Sequence, residues 1–308
     1  MTSVAKFITT FNRPDRLREV VEATLGQTRR PDLLLIVDNG DPVPTRKIAD
    51  TYGVEYHSTG SNVGPAGAAA FALRHLAERG FDWIAWGDDD TPPMTPDTFA
   101  TLMELAEDAP PDVAGVGAVG ARFDWATGEI RRLHDTELVG PVDVDVIGTG
   151  HQLITRASLV DDVGVPDPEL FFGFYDPEYC LRIRAAGHRL LVPGELLLEY
   201  RKVWNRLGLD VRRSVRPRPQ PHQLWRRYYV TRNYIHMMRR RFDRPDLARR
   251  EAVKAAFRSV MALLRGPRYA RAFVPLQLRG VIDGYRSRLG RSVAPVPKPR
   301  DEVTPSSP

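Results

Sequence analysis

Apolar and polar positions alternate in two rhythms along the N-terminal part of the chain. The runs "AKFITTF" (5–11), "LLLIVDNG" (33–40) and "DWIAWG" (82–87) are mostly apolar on both faces and read as buried strands, and "VEYHST" (54–59) adds a further short one. Between the first two lies "RPDRLREVVEATLGQT" (13–28), a helix opened by Pro14 and closed near Gly26. The small-residue-rich "GPAGAAAFALRHLAERG" (64–80) is a second helix that ends at Gly80. Strands that alternate with helices and are buried on both faces predict an open, mostly parallel sheet with helices on each side. Ligands on such sheets bind beyond the carboxyl ends of the strands.

Polar residues gather at those ends. Thr9 and Thr10 close the first strand, Asp38 and Asn39 the second, Asn62 and Gly64 follow the third, and Asp88, Asp89 and Asp90 follow the fourth in "WIAWGDDDTPP". Taken singly, each reads as a turn or helix-cap residue. Together on one rim they offer acceptors for a base and ribose, close backbone approach at Gly64 and Gly67, and carboxylates for a divalent ion. Three neighbouring carboxylates repel one another unless water or a cation lies among them. Neither glycine pattern is a phosphate loop or a dinucleotide fingerprint.

Composition narrows the field. At 308 residues, 42% of them hydrophobic, the chain can bury a large core. It contains no run of about 18 apolar residues, and "MTSVAKFITTFNRPDRL" lacks the pattern of a signal peptide, so a cytoplasmic chain is expected. The single cysteine, Cys180, excludes an internal disulfide and a Cys-based zinc cluster. The net charge of +5 conceals an asymmetry: residues 1–200 carry 17 Lys+Arg against 32 Asp+Glu, residues 201–308 carry 27 against 7. An acidic body suits metal ions; a basic remainder suits phosphates, an anionic membrane surface or nucleic acid.

The segments "FITTFNRPDRL", "LLLIVDNG", "STGSNVGPAGAAAFAL" and "WIAWGDDDTPP", in this order and spacing, resemble the inverting family 2 glycosyltransferases of the GT-A fold. Within that family the likeness is greatest to galactofuranosyltransferases and related rhamnosyltransferases of actinobacterial cell-wall assembly. It covers roughly residues 4–200 and extends more weakly to about residue 240. The resemblance implies that Asp88-Asp89-Asp90 is a DXD-type motif, with Asp88 and Asp90 holding Mn²⁺ or Mg²⁺ on the diphosphate of a nucleotide sugar. It places Thr9, Phe11, Arg13, Asp38, Asn62, Gly64 and Asp89 around the nucleotide, with Asp38 on the base or ribose and Arg13 near the phosphates.

The segment "GVPDPELFFGFYDPEYCLRIRAAGHRL" (164–190) resembles the acceptor-side motif of the same family. By that likeness Asp176 is the base that deprotonates the acceptor hydroxyl, and Glu178 orients it or binds the acceptor. "VIGTGHQLITRASLVDDVG" (146–164) resembles the strand bordering the acceptor pocket, which makes Gly150 and His151 acceptor contacts. Relatives carry a His after the acceptor-side helix as a third metal ligand; here "VPGELLLEYRKVWN" has none, leaving Glu199, His222 or His236 as substitutes.

Beyond Tyr200, "RRSVRPRPQPHQLWRRYYVTRNYIHMMRRRF" (212–242) passes from a basic, proline-rich link into an aromatic- and arginine-rich helix. Tyr228, Tyr229, Arg232 and Asn233 either close over a phosphate or pack on the body. In "DLARREAVKAAFRSVMALLRG" (246–266), Val253, Phe257, Val260 and Leu264 form an apolar stripe beside Arg250, Lys254 and Arg258. Such a helix lies on an anionic membrane or packs on the core. The expected organisation is a GT-A catalytic domain over 1–210, divided near residue 95 into nucleotide-sugar and acceptor halves. A basic helical extension follows over 211–290, then a disordered tail over 291–308.

The expected function is metal-dependent, inverting transfer of galactofuranose or rhamnose from a UDP- or dTDP-linked donor to a polyprenyl-diphosphate-linked glycan. The enzyme would work peripherally at the inner face of the plasma membrane, without nucleic acid. A nucleotidyltransferase is disfavoured because "TTFNRPDR" stands where its glycine- and lysine/arginine-rich loop belongs. Nucleic-acid binding through the basic region lacks a recognised module.

Overall fold

The computed structural model describes residues 2–148, 150, 152–208 and 220–294. His151 and the tail from residue 295 onward lie outside the described residues. The chain divides into two compact units: Met1–Pro168 with Tyr175–Ser214, and Glu169–Phe174 with Val215–Pro308.

The first unit begins β1 (Val4–Thr10), α1 (Pro14–Leu25), β2 (Leu33–Asp38), α2 (Pro42–Tyr52), β3 (Glu55–Ser58), α3 (Gly64–Glu78), β4 (Trp83–Asp88) and α4 (Thr98–Asp108). It continues with β5 (Val113–Val116), β6 (Gly120–Asp124), β7 (Glu129–Arg131), β8 (Pro141–Val144), β9 (Val146–Ile147), β10 (Ile154–Arg156) and α5 (Leu159–Asp162). It closes with α6 (Tyr175–Ala185), β11 (Arg189–Pro193) and α7 (Gly194–Val203). Eight strands form one sheet in the order β3-β2-β1-β4-β10-β5-β11-β8, and β7-β6-β9 form a small second sheet. The strands β3, β2, β1 and β4 are parallel, as their apolar pattern predicts. Strand β10 runs antiparallel between β4 and β5, and β8 antiparallel to β11. These short strands, and the second sheet, have too few residues to show a period in the sequence.

Local chemistry explains the helices nearest the rim. Pro14 opens α1, whose Leu17, Val20, Val21 and Thr24 face inward at helical spacing. Leu17, Val20 and Val21 pack with Ile8, Leu34, Ile36, Ile48 and Ala49 into one apolar cluster. Asp41 caps α2 by accepting from the Val43 amide at 3.1 Å, and Gly53 ends it in the left-handed conformation. Gly64 opens α3 with φ of 75°, a backbone that favours glycine. The Ala-rich face of α3 (Ala66, Ala69, Ala70, Leu73) is buried, so small side chains let this helix lie close to the sheet. On the other side Trp83, Ala85, Phe99, Leu102, Met103, Val116 and Ile154 form a second cluster.

Parallel register sets the rim. Thr9 stands beside Asp88 across β1 and β4, and Thr10 beside Asp38 across β1 and β2.

In the second unit, helices α8 (Trp225–Arg240), α9 (Pro245–Leu263) and α10 (Pro267–Arg286) pack on one another. Gly280 and Gly284 permit the approach of α10 to α8: a Cβ there would meet Tyr228 O at 2.9 Å and Arg232 O at 2.7 Å. Tyr228, Tyr229, Arg232 and Asn233 are all fully buried. Asn233 Nδ2 lies 2.7–2.9 Å from the carbonyls of Leu170, Phe172 and Gly173, while Arg232 donates to Leu170 O and Gly290 O. These four side chains pack within the second unit, and Arg232 is buried where the sequence suggested solvated arginines. Residues 291–294, expected in the disordered tail, include Ser292 and Val293, whose amides donate to the Tyr229 hydroxyl.

Candidate active site

Every described residue expected around the donor lies at or just beyond the carboxyl ends of β1, β2 and β4, or at the start of α3. Three buried or half-buried carboxylates organise this rim, and each has a different environment.

Asp38 is fully buried; its Oδ1 accepts from the Gly40 amide at 2.8 Å and its Oδ2 from the Tyr56 hydroxyl at 3.2 Å. Asn62 Oδ1 accepts from the Gly64 amide at 2.9 Å, which sets the turn into α3. Asn39, not assigned a role from the sequence, ties the same turn by donating to Gly64 O and accepting from Thr59. The signal for it was its place beside Asp38, but Asn at a strand end is common to many turns. Phe11 remains 41% exposed at the rim, so its ring is available to a base.

Asp89 points into the protein. It accepts from Thr10 Oγ1 at 2.8 Å, from the Phe11 amide at 3.3 Å and from Arg13 Nη1 at 3.0 Å. Burial raises its pKa, and Arg13 and Thr10 oppose that rise. Arg13 Nη1 also reaches Asp90 Oδ2 at 2.7 Å. The positive partner sought among the three carboxylates is therefore in part a side chain. Burial works against the Arg13 charge, but Asp89 and Asp90 more than restore it, and its pKa is raised.

Asp88 has no such partner. Among the described residues no cation pairs with it, and its one hydrogen bond comes from Thr9 Oγ1 at 3.3 Å. Burial, followed by the charges of Asp90, Asp176 and Asp89, pushes its pKa up to about 7. Asp176, in the first turn of α6, is thus close enough to act electrostatically on Asp88. Gly150 borders the same carboxylate: a Cβ there would lie 3.0 Å from Asp88 Oδ2 and from Thr91 Oγ1.

This donor set fits a hard divalent cation. An electron-rich, partly buried carboxylate without a cationic partner, beside Asp90, is stabilised by Mg²⁺ or Mn²⁺. Among the described residues no cluster of three or more His, Cys, Asp or Glu side chains is arranged to hold a metal. None of Glu199, His222 and His236 therefore completes a three-residue protein cage here. Such ions are commonly held by one or two carboxylates, with substrate phosphate and water completing the shell.

Glu178 departs from the sequence expectation. Its side chain is fully buried, and both oxygens engage Arg182, at 2.6 and 3.2 Å. Arg182 in turn donates to Val163 O and Val165 O. Through Arg182, Glu178 ties the start of α6 to the preceding loop; two residues from Asp176, it falls on the inward side of the helix.

Residues 7–156 match the family described as glycosyl transferase family 2. Galactofuranosyltransferase GlfT1 of Mycobacterium tuberculosis H37Rv is 29% identical over 199 residues, taking in 60% of this chain and 66% of the relative. GlfT1 of Mycolicibacterium smegmatis is 29% identical over 200 residues with the same coverage. The chain thus spans slightly under two thirds of these relatives. The mannosyltransferase PcManGT of Pyrobaculum calidifontis, solved with GDP-Man and Mn²⁺, superposes with a TM-score of 0.54. At 15% identity, the match covers 92% of this chain and 87% of that one. GalNAc-T7, solved with UDP, GalNAc and Mn²⁺, gives 0.56 at 13% identity, over 93% of this chain and 56% of that one. These two likenesses establish the shared GT-A architecture.

Proposed function

We propose that this chain, a family 2 glycosyltransferase related to the galactofuranosyltransferases, moves galactofuranose from UDP-galactofuranose to a lipid-linked glycan with inversion at the sugar carbon. The observation that carries the reading is the convergence of Asp88 and Asp90 with Asp176 at the end of β4, where no side-chain cation among the described residues pairs with Asp88. A divalent ion held by Asp88 and Asp90 would supply the charge that neutralises the departing nucleoside diphosphate.

The chain's own residues carry the remainder. Phe11 and Asn62 bind the nucleoside, while Asp38, buried and bonded to the Gly40 amide and the Tyr56 hydroxyl, braces that pocket from behind, with Gly64 allowing the phosphates to approach the backbone of α3. Arg13, already held over Asp89 and Asp90, adds positive charge beside the diphosphate, and Thr10 keeps Asp89 turned inward to orient that arginine. Asp176 accepts the proton of the acceptor hydroxyl as that oxygen attacks the sugar carbon from the face opposite the leaving group. Gly150 borders the acceptor, a role that the family resemblance also gives to His151, which lies outside the described residues.

The second unit supports a lipid-linked acceptor. Beyond its first turn, where Leu247 is buried, α9 turns large apolar side chains outward: Val253 is 69% exposed, Phe257 63% and Leu263 62%, while the small Ala255, Ser259 and Ala262 face inward. Residues 220–294 carry 18 Lys+Arg against 4 Asp+Glu. An apolar ridge on a strongly basic unit suits an anionic bilayer surface. No helix of the described residues is long and apolar enough to cross a membrane.

The test is transfer from UDP-galactofuranose and from dTDP-rhamnose, each with Mn²⁺ and with chelator. Galactofuranose transfer lost on chelation supports the reading; rhamnose transfer from dTDP alone would replace its donor.

A further inference from the structure

A buried lysine amine lies under the donor rim and takes no part in the chemistry above. Lys6, in the middle of β1, has no solvent exposure. Removing an ammonium from water costs several kcal/mol unless other groups compensate. An apolar residue at a core strand position would avoid that cost, so the sheet bears it for whatever Lys6 holds.

What it holds leads to the rim. Lys6 Nζ donates to Thr24 Oγ1 of α1 at 3.1 Å and to Gln152 Oε1. Gln152 is itself 1% exposed and has φ of +57°, a backbone that a non-glycine residue adopts at a cost. Its Nε2 donates to Thr91 O at 3.3 Å. Thr91 directly follows the three carboxylates, and its hydroxyl donates to Asp90 Oδ1 at 3.2 Å. Two residues before Gln152 stands Gly150, whose missing Cβ would press on Asp88 Oδ2 and Thr91 Oγ1. From below, a Cβ on Gly87 would meet Lys6 Cε at 3.2 Å, so the lysine stem runs beneath the residue adjoining Asp88. Burial lowers the Lys6 pKa to about 7. In either protonation state the amine keeps enough hydrogens for both bonds.

We propose that Lys6 is a positioning residue: through Gln152 it fixes Thr91 and Gly150, and thereby sets Asp88 and Asp90 in the geometry that binds a metal-chelated nucleoside diphosphate. This rests on the donor-site reading given under Proposed function. Residues that orient ligands to a metal, without touching it, commonly change affinity 10- to 100-fold when removed, on the order seen for such supports.

Lys6→Met and Gln152→Met separate positioning from folding. Met fills a similar volume and removes the buried charge in the first case, the amide in the second. The experiment is calorimetric titration of UDP with Mn²⁺ into wild type, each single variant and the double variant, beside thermal unfolding of each protein. The expected result is a UDP affinity about tenfold or more weaker in Lys6→Met, with an unfolding temperature at or above that of wild type. Gln152→Met should weaken binding similarly, and the double variant should be no weaker than the weaker single, since both act in one chain of contacts. Wild-type affinity in a folded Lys6→Met protein would overturn the proposal, as would additive losses in the double variant. If Lys6→Met does not fold, the Gln152→Met affinity decides alone by the same criterion. Absence of Mn²⁺-dependent UDP binding in wild type would instead overturn the donor site itself, and this inference with it.

Discussion

Arg13 is joined to Asp90 by a 2.7 Å contact between Nη1 and Oδ2, and the same nitrogen reaches Asp89 at 3.0 Å. A side-chain cation thus holds two of the three carboxylates, while the third, Asp88, has no cationic partner among the described residues. If Arg13 serves the diphosphate, Arg13→Ala weakens UDP binding in the presence of Mn²⁺ about tenfold, the scale of one charge-assisted hydrogen bond. Mn²⁺ alone should bind that variant at least as well as wild type, because a competing cation has gone. Calorimetry with UDP and electron paramagnetic titration of free Mn²⁺ read the two quantities separately.

The raised pKa of Asp88 gives a pH dependence with a definite sign. Its folded value of about 7 exceeds the ordinary 3.8. Between those two values the unfolded chain has released the proton that the folded chain retains, so this group lowers stability as pH rises from about 4 to 7. Asp88→Asn should therefore unfold at a higher temperature than wild type at pH 7.5, with the difference shrinking toward pH 4. Mn²⁺ should bind wild type more tightly as pH rises through 7, since binding releases the Asp88 proton. Calorimetric titrations at pH 6 and pH 8 test this.

Glu178 is a structural brace. Removing its carboxylate strands the Arg182 charge, so Glu178→Ala lowers stability by about 3 kcal/mol. UDP binding by the folded fraction should be unchanged. Denaturant unfolding measures the first and calorimetry the second; a stable variant with a raised acceptor KM would return Glu178 to the acceptor site.

The apolar ridge of α9 makes its own prediction. Phe257→Glu and Val260→Glu replace exposed side chains, 63% and 54% accessible, and should leave the unfolding temperature within a few degrees of wild type. Sedimentation with vesicles containing anionic lipid should fall several-fold for both, while neutral vesicles sediment little of any form.

Much of the donor rim is legible in the sequence. The β1, β2 and β4 runs are long and apolar enough to declare themselves, and once they pair in parallel, register carries Thr9 to Asp88 and Thr10 to Asp38. What remained hidden depends on distance. The sequence alone does not join Arg13 to Asp90, separated by 77 positions, or Lys6 to Gln152, separated by 146. Burial was equally hidden: Glu178 and Asp176 differ by two positions, but helical turn puts only the former wholly inside. Arg232 and Asn233 resembled phosphate ligands because their type suits that task, and only packing against residues 169–174 shows them engaged elsewhere.

Asp176 carries the central claim, and its conservative replacement tests it most directly. Galactofuranose transfer from UDP-galactofuranose is measured for wild type and Asp176→Asn, with Mn²⁺-dependent UDP binding measured on the same preparations. The account predicts that the amide variant binds UDP within a few-fold of wild type while transfer falls by 10²-fold or more, the scale of general-base catalysis. Transfer at the wild-type rate by Asp176→Asn would contradict the assignment of the base and the inverting mechanism built on it.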